Sequence, residues 1–368
     1  MLTGMSSKRA KIIAYYLPQY HPTPDNDRWW GKGFTEWTNV AKAKPLFKGH
    51  YQPKIPADLG FYDLRLPEVR EQQAQLALQA GIEGFCYYHY WFGNGKQELE
   101  LPFNEVVRSG KPDFPFCLCW ANESWYAKSW NKDGKVGKAN LLVQQEYPGT
   151  EDNEKHFYSL LTALKDPRYI KIENKPILVI YRPLTFMKVE PFIAQWNRLA
   201  IQNGLEGIYF IGYTTNVEHE YKQIIERGFD AVNSCNLSRF FNYGNIFINT
   251  YKIICANYFH IPNRIPYKKA MRYFVGEMEK EINVYPSLIP NWDHTPRSGG
   301  NGYLLTNSTP RLFEEHVRNT LHILSAKPTE HQICFLKSWN EWGEGNYVEP
   351  DLKYGNGYIQ ALKNAVLK

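Results

Sequence analysis

The sequence lacks any apolar stretch approaching the ~20 residues of a membrane-spanning helix, so no transmembrane segment is expected. Residues 1–10 carry no apolar leader core and read as a disordered or tag-like terminus, which gives a cytoplasmic expectation. Cysteine is sparse, with six in 368 residues. Cys117-Leu118-Cys119 has the wrong spacing for a zinc knuckle, and most of the cysteines lie in apolar, strand-like runs. A reduced protein without a disulfide framework is expected. Charge of one sign is also scarce: 43 basic against 37 acidic residues leave a net +6. Lys42, Lys44 and Lys48 are interleaved with apolar residues, so nucleic acid is excluded as a partner. No linker, low-complexity segment or internal repeat is visible. No H-E-x-x-H pair or comparable metal set, no G-x-S-x-G elbow and no cofactor motif stands out.

Aromatic residues are abundant: 11 Trp, 26 Tyr and 20 Phe, or 15% of the chain. Several tryptophans adjoin Asn, Glu or Gly and lie outside apolar runs, as expected for a cleft whose indoles stack on sugar rings. Apolar runs at Lys11–Tyr16, Gly84–His89, Phe116–Trp120, Ile177–Tyr181, Ile208–Gly212, Ala231–Ser234, Leu288–Trp292 and Ile333–Trp339 read as eight strands. Helical patterns intervene at Leu66–Ala80, Leu101–Ser109, Asp152–Leu164, Val189–Asn203, Glu218–Arg227 and Thr309–Ser325, and Tyr358–Leu367 closes the chain. Proline near several starts and glycine at several stops fit these bounds. Eight strand–helix repeats predict one α/β domain over 1–368, a closed (β/α)8 TIM barrel with long βα loops. An open doubly wound sheet is the alternative. No G-x-G-x-x-G or P-loop follows the first strand, which weakens nucleotide-binding versions of it. The longest excursion, about 236–285, is expected to cap the pocket.

Active sites of such barrels sit at the C-terminal strand ends. The polar and aromatic residues gathered there are Tyr16, His21, Trp30, Glu36, Trp37, Asn39, Tyr88, His89, Trp91, Trp120, Asn122, Glu123, Tyr181, Arg182, Tyr213, Trp292 and Asp293, all taken as substrate contacts. The last strand ends in Ser338-Trp339-Asn340-Glu341-Trp342-Gly343-Glu344-Gly345. Glu341 and Glu344 are the catalytic candidates, and Trp339, Asn340 and Trp342 further contacts. Glu349 and Asp351 are expected in solvent. Glycoside cleavage ordinarily sets two carboxyl groups across the scissile bond. Glutamates three residues apart act from neighbouring positions instead, one taking a proton from a substrate hydroxyl and the other protonating the leaving group. Asp293 is the third carboxylate, the nucleophile in an ordinary retaining mechanism.

Several strings resemble the WbsX-like family of bacterial surface-polysaccharide proteins, often labelled glycosyltransferases. They are Ala14-Tyr15-Tyr16-Leu17-Pro18-Gln19-Tyr20-His21-Pro22, Trp29–Asn39, Gly84–Phe92, Cys117–Glu123, Trp339–Gly345 and Glu349-Pro350-Asp351. The match runs from about Lys11 to Tyr358. That family in turn resembles glycoside hydrolase family 99, the endo-α-mannosidases and endo-α-mannanases, which are (β/α)8 barrels. The resemblance implies Glu341 as base on the sugar 2-hydroxyl, an anhydro-sugar intermediate, and Glu344 as acid and then base. On that reading Asp293 binds substrate. Three functions follow: a retaining hydrolase or transglycosylase cutting an internal, mannoside-like α-linkage of a surface glycan; a glycosyltransferase of O-antigen, lipopolysaccharide or capsule biosynthesis; and an inert glycan-binding barrel. No phosphate-cradling glycine loop supports the second, and binding alone needs neither of the two glutamates.

Overall fold

A computed structural model describes residues 8–127, 140–240, 250, 254 and 261–367. Eight strands form the barrel: β1 (Lys11–Tyr16), β2 (Gly84–Trp91), β3 (Phe116–Trp120), β4 (Lys175–Ile180), β5 (Tyr209–Thr214), β6 (Ala231–Ser234), β7 (Val284–Leu288) and β8 (Ile333–Leu336). Each pairs in parallel with the next, and β8 returns to β1 in the register Lys11↔Ile333 to Ala14↔Leu336, which closes the cylinder. The strands are buried on both faces, as in parallel sheets clad by helices, and therefore read as unbroken apolar runs.

The seventh strand lies earlier than the sequence suggests. The ladder runs up to the apolar pair Leu288-Ile289 and does not start from it. Leu288 pairs with Leu336, and the chain then turns off through Pro290. Pro286 stands inside this strand, where proline is unusual.

Among the described residues the helices of seven or more residues are α1 (Pro24–Trp30), α2 (Glu36–Lys42), α3 (Pro67–Gln79), α4 (Leu101–Ser109), α5 (Thr150–Leu164), α6 (Val189–Gln202), α7 (Val217–Glu226), α8 (Pro310–Leu324) and α9 (Gly357–Val366). The outer ring α3–α9 falls where the sequence places it. In α8, Thr309 Oγ1 accepts from Leu312 N at 3.3 Å, Pro310 opens the helix, and Phe313, Val317, Leu321 and Leu324 bury one face. That is the capping and 3.6-residue spacing of a barrel helix. The short helices α1 and α2 were not foreseen. They sit in the connection after β1, where Thr23 caps the first, and they carry Trp30, Glu36 and Asn39 to the barrel mouth. Much of the expected cap, together with residues 1–7 and Cys255, lies outside the described residues. The five described cysteines are free and buried.

Candidate active site

The C-terminal strand ends surround a cavity of about 1090 Å³. Its floor is aromatic and continuous with the barrel core. Tyr15 stacks on Phe335 at 5.3 Å and on Tyr88 at 5.4 Å, and its hydroxyl donates to Asn233 Oδ1 across the barrel at 2.8 Å. Above this, Tyr181 and Tyr213 stack at 4.7 Å and Tyr88 meets Tyr181 edge-on. Trp30, Glu36, Asn39, Asn122, Glu123, Arg182, Trp292, Glu341 and Glu344 complete the expected residues that line the cavity. Arg182 Nε donates to Glu123 at 2.8 Å on the rim, and Asn122 Oδ1 accepts from Arg182 N at 2.7 Å.

The glutamate pair owes its geometry to a tight turn. Asn340-Glu341 pairs antiparallel with Asn346-Tyr347, and Trp342–Glu344 between them form one 3₁₀ turn. Three residues complete such a turn, so positions 341 and 344 come round to the same side. Gly345 ends it in the left-handed region at φ 57°, where an added Cβ would meet Lys54 Nζ at 2.1 Å. At Gly343 the reason is space: an added Cβ would lie 1.8 Å from Glu36 Oε1. The missing side chain lets the carboxylate of α2 approach the turn.

Arg297 organises these acids. Its Nε donates to Glu36 Oε1 at 2.8 Å, and its Nη1 donates to Glu344 at 2.6 Å and Glu341 at 3.3 Å. His294 Nε2 lies 3.5 Å from Glu344. Burial, followed by the charge of Glu344, pushes Glu341 up to about 7, against the pull of Lys337 and Arg297. Near neutrality Glu341 is thus poised to take up or give up a proton, as an acid–base group must.

Ten of the expected contacts lie outside this lining, and strand alternation explains two of them. Tyr15 and Tyr88 face the barrel interior, so Tyr16 and His89 face the helices. Tyr16 donates to Gln73 at 2.6 Å, and His89 pairs with His156 of α5 at 2.8 Å. Burial lowers His89 to about 4, so this pair is neutral. Trp91 Nε1 donates to Asp152, Trp120 Nε1 to Trp91 O, and Trp37 Nε1 to Tyr62 O. His21 Nδ1 is 3.0 Å from Pro18 O. Asn340 clamps the chain after β1, accepting from Leu17 N at 2.8 Å and donating to Leu17 O at 3.0 Å. Trp339 and Trp342 both donate to Glu349, at 2.9 and 2.7 Å. Glu349 and Asp351 are therefore not solvated; each is only 2% exposed. Asp293 also turns away from the cavity. His50 and Gln52 contact its Oδ2 at 2.8 and 2.7 Å, and Thr295 donates to its Oδ1. Burial opposes its charge, but the His50 hydrogen bond, Lys54 and Thr295 hold its pKa down at about 2. In this geometry it lies outside the cavity lining and ties the chain after β7 to His50, Gln52 and Thr295.

Sequence reasoning missed Arg297, His294, Tyr90, Trp125 and Lys337, all of which line the cavity. Lys337 directly follows Leu336, the last residue of β8, and that position could have flagged it. It also overlooked one D-x-D triplet, Asp25-Asn26-Asp27. Asp25 there is paired with Arg28 and Lys96, and Asp27 accepts from Gly33 N at 2.8 Å.

The profile of the family described as glycosyltransferase WbsX matches residues 12–362. The chain belongs to the WbsX family. Proteins named WxcX from two strains of Xanthomonas campestris pv. campestris are 34% identical to this WbsX member over 360 residues. The alignment covers 98% of the chain and 50% of each relative, so the chain spans about half their length. Among solved structures, a glycoside hydrolase-like protein superposes with a TM-score of 0.60 at 13% identity, covering 100% of this chain and 97% of the other. The GH99 endo-α-mannosidase from Bacteroides thetaiotaomicron superposes at 0.55 with bis-tris-propane bound and at 0.54 in a second structure. Both are 15% identical and cover 96% of this chain and 95% of theirs. At such identities the likeness shows the fold, a TIM barrel. The family's description is that of carbohydrate-active enzymes, and the barrel fold is compatible with it.

Proposed function

We propose that the chain is a retaining glycoside hydrolase or transglycosylase that cuts an internal, mannoside-like α-linkage of a bacterial surface glycan. The observation that carries this reading is the Glu341–Glu344 pair, held on one nitrogen of Arg297 in the wall of a large aromatic cavity. Glu341 takes the proton of the sugar 2-hydroxyl, and that oxygen forms a bond to the anomeric carbon. The glycosidic bond breaks, and its oxygen takes the proton of Glu344. Water, or a second sugar hydroxyl, then adds at the anomeric carbon and gives its proton to Glu344, while the bond from that carbon to the 2-oxygen breaks and the 2-oxygen takes its proton back from Glu341. Configuration is retained through the two displacements. Tyr88, Tyr181 and Tyr213 offer ring faces to the sugar, and Arg182, Asn122 and Glu123 bind at the rim. The chain is taken as one barrel domain. Leu237 and Ser238, at the start of the connection after β6, line the cavity and support a cap at that point.

The second reading is glycosyl transfer during assembly of such a glycan, and the family's description favours it. The test is product analysis by mass spectrometry. Wild type and Glu341→Gln are incubated in partly 18O-labelled water with mannose- and rhamnose-containing bacterial polysaccharides. Shorter chains with 18O at new reducing ends, made by the wild type alone, are expected of a hydrolase. Unlabelled shorter and longer chains identify a transglycosylase. Turnover of nucleotide sugars, with no change in any polysaccharide, would replace this reading by the second.

A further inference from the structure

Lys337 is the cavity group that the two-glutamate scheme leaves without a task. It follows β8 directly, its backbone N–H donates to Leu288 O at 2.8 Å, and its side chain lines the cavity. The residue is only 5% exposed. Among the described residues its ammonium makes no hydrogen bond and no ion pair, and it approaches the Trp292 ring in a cation–π contact at 5.8 Å. Its donors are therefore open to the cavity, where a bound ligand can meet them. Burial opposes its charge, yet Glu341, and beyond it Tyr181, Cys235 and Glu344, hold it above the usual lysine range. Lys337 therefore stays cationic. Its main counter-charge is Glu341, near enough to feel it and outside ion-pair distance.

The surroundings decide which ligand suits that gap. Arg297 is already answered by three carboxylates. An anionic substituent would face Glu341 and Glu344 as well as Lys337. A hydroxyl, neutral until it loses its proton, fits between an ammonium donor and a carboxylate acceptor.

We propose that Lys337 is a further catalytic residue, whose ammonium donates a hydrogen bond to the sugar hydroxyl oxygen that Glu341 deprotonates. The inference rests on the two-glutamate reading. As the proton passes to Glu341, negative charge grows on the oxygen, and a fixed cation stabilises it until the new bond to the anomeric carbon forms. Lys337 keeps its own protons throughout.

The experiment compares wild type with Lys337→Met, Lys337→Gln and Lys337→Arg on the same polysaccharide panel, with circular dichroism as the folding control. Loss of one donor to a developing oxyanion typically lowers kcat by about 10²–10³. That loss is expected for Met and Gln with little change in KM, and Arg should recover part of it. The pH profile separates this role from simple charge compensation. Lys337 lowers the Glu341 pKa, so its removal shifts the acidic limb to higher pH in either case. A high-pH plateau that stays depressed more than tenfold supports the donor role. A plateau within tenfold of wild type overturns it. If Met does not fold, Gln and Arg give the same readout. A wild type that leaves every polysaccharide unchanged sinks the hydrolase reading and this inference with it. An active wild type matched by an equally active Lys337→Met sinks this inference alone.

Discussion

Arg297→Met tests whether one guanidinium lets three carboxylates share a wall. Methionine keeps much of the aliphatic volume and removes contacts of 2.8 Å to Glu36, 2.6 Å to Glu344 and 3.3 Å to Glu341. Removing one partner of a buried ion pair costs about 3–5 kcal/mol. The arginine side chain is 24% exposed, which places the expected loss near the lower end, ~3 kcal/mol. At ~2.1 cal/mol/K of unfolding entropy per residue, a chain of this size should lose roughly 4 °C in Tm. The loss depends on pH with a definite sign. Burial and Glu344 already raise Glu341 to about 7, and without Arg297 it rises further. A folded pKa above the unfolded value gives stability that is present below about pH 4.5 and lost as pH rises through the folded value. The deficit against wild type must therefore grow from pH 5 to pH 8, as followed by scanning calorimetry. A deficit as large at pH 5 as at pH 8 would refute the account of Arg297 as counter-charge.

Three further outcomes are expected. Glu341→Gln should abolish turnover yet raise Tm at pH 8, because it removes a buried acid whose ionisation costs stability as pH rises from about 4.5 through about 7; calorimetry beside product analysis reads both. Gly343→Ala drives a methyl into the Glu36 carboxylate and should cost about 1–3 kcal/mol together with most of the turnover; unchanged melting would show that the turn yields easily. His89, buried and held at about 4, makes the fold lose stability as pH falls from about 6.5 towards 4, by roughly 3 kcal/mol. A His89→Phe variant whose acid denaturation follows the wild-type curve throughout that range would contradict it.

The barrel is legible because parallel strands, sealed on both faces, cannot alternate polar and apolar residues and so show as apolar runs. Helix ends are legible because proline and glycine mark them. The seventh strand was misplaced because proline interrupts the strand itself. The glutamate turn stands out through two acids among glycines and indoles, but the sequence could not say which way each indole turns. Trp339 and Trp342 look like sugar platforms, yet both donate to Glu349, a carboxylate that reads as solvated in the sequence and is buried in the fold. Tyr16 and His89 were separable in principle by the two-residue period of their strands. Arg297 was not, because the partner that explains it, Glu36, is 261 positions away.

The clamp of Asn340 on Leu17 spans 323 positions of chain. At ~5–20 residues per second, a ribosome takes roughly 16–65 s to cover that distance. Throughout this interval the emerging polypeptide holds β1 with one edge waiting, and its two glutamates have not yet been made. The tyrosine floor precedes the acids in synthesis, and β8 brings barrel closure and the glutamate turn together. A nascent chain thus carries the tyrosine floor of the cavity well before the two glutamates that complete its wall.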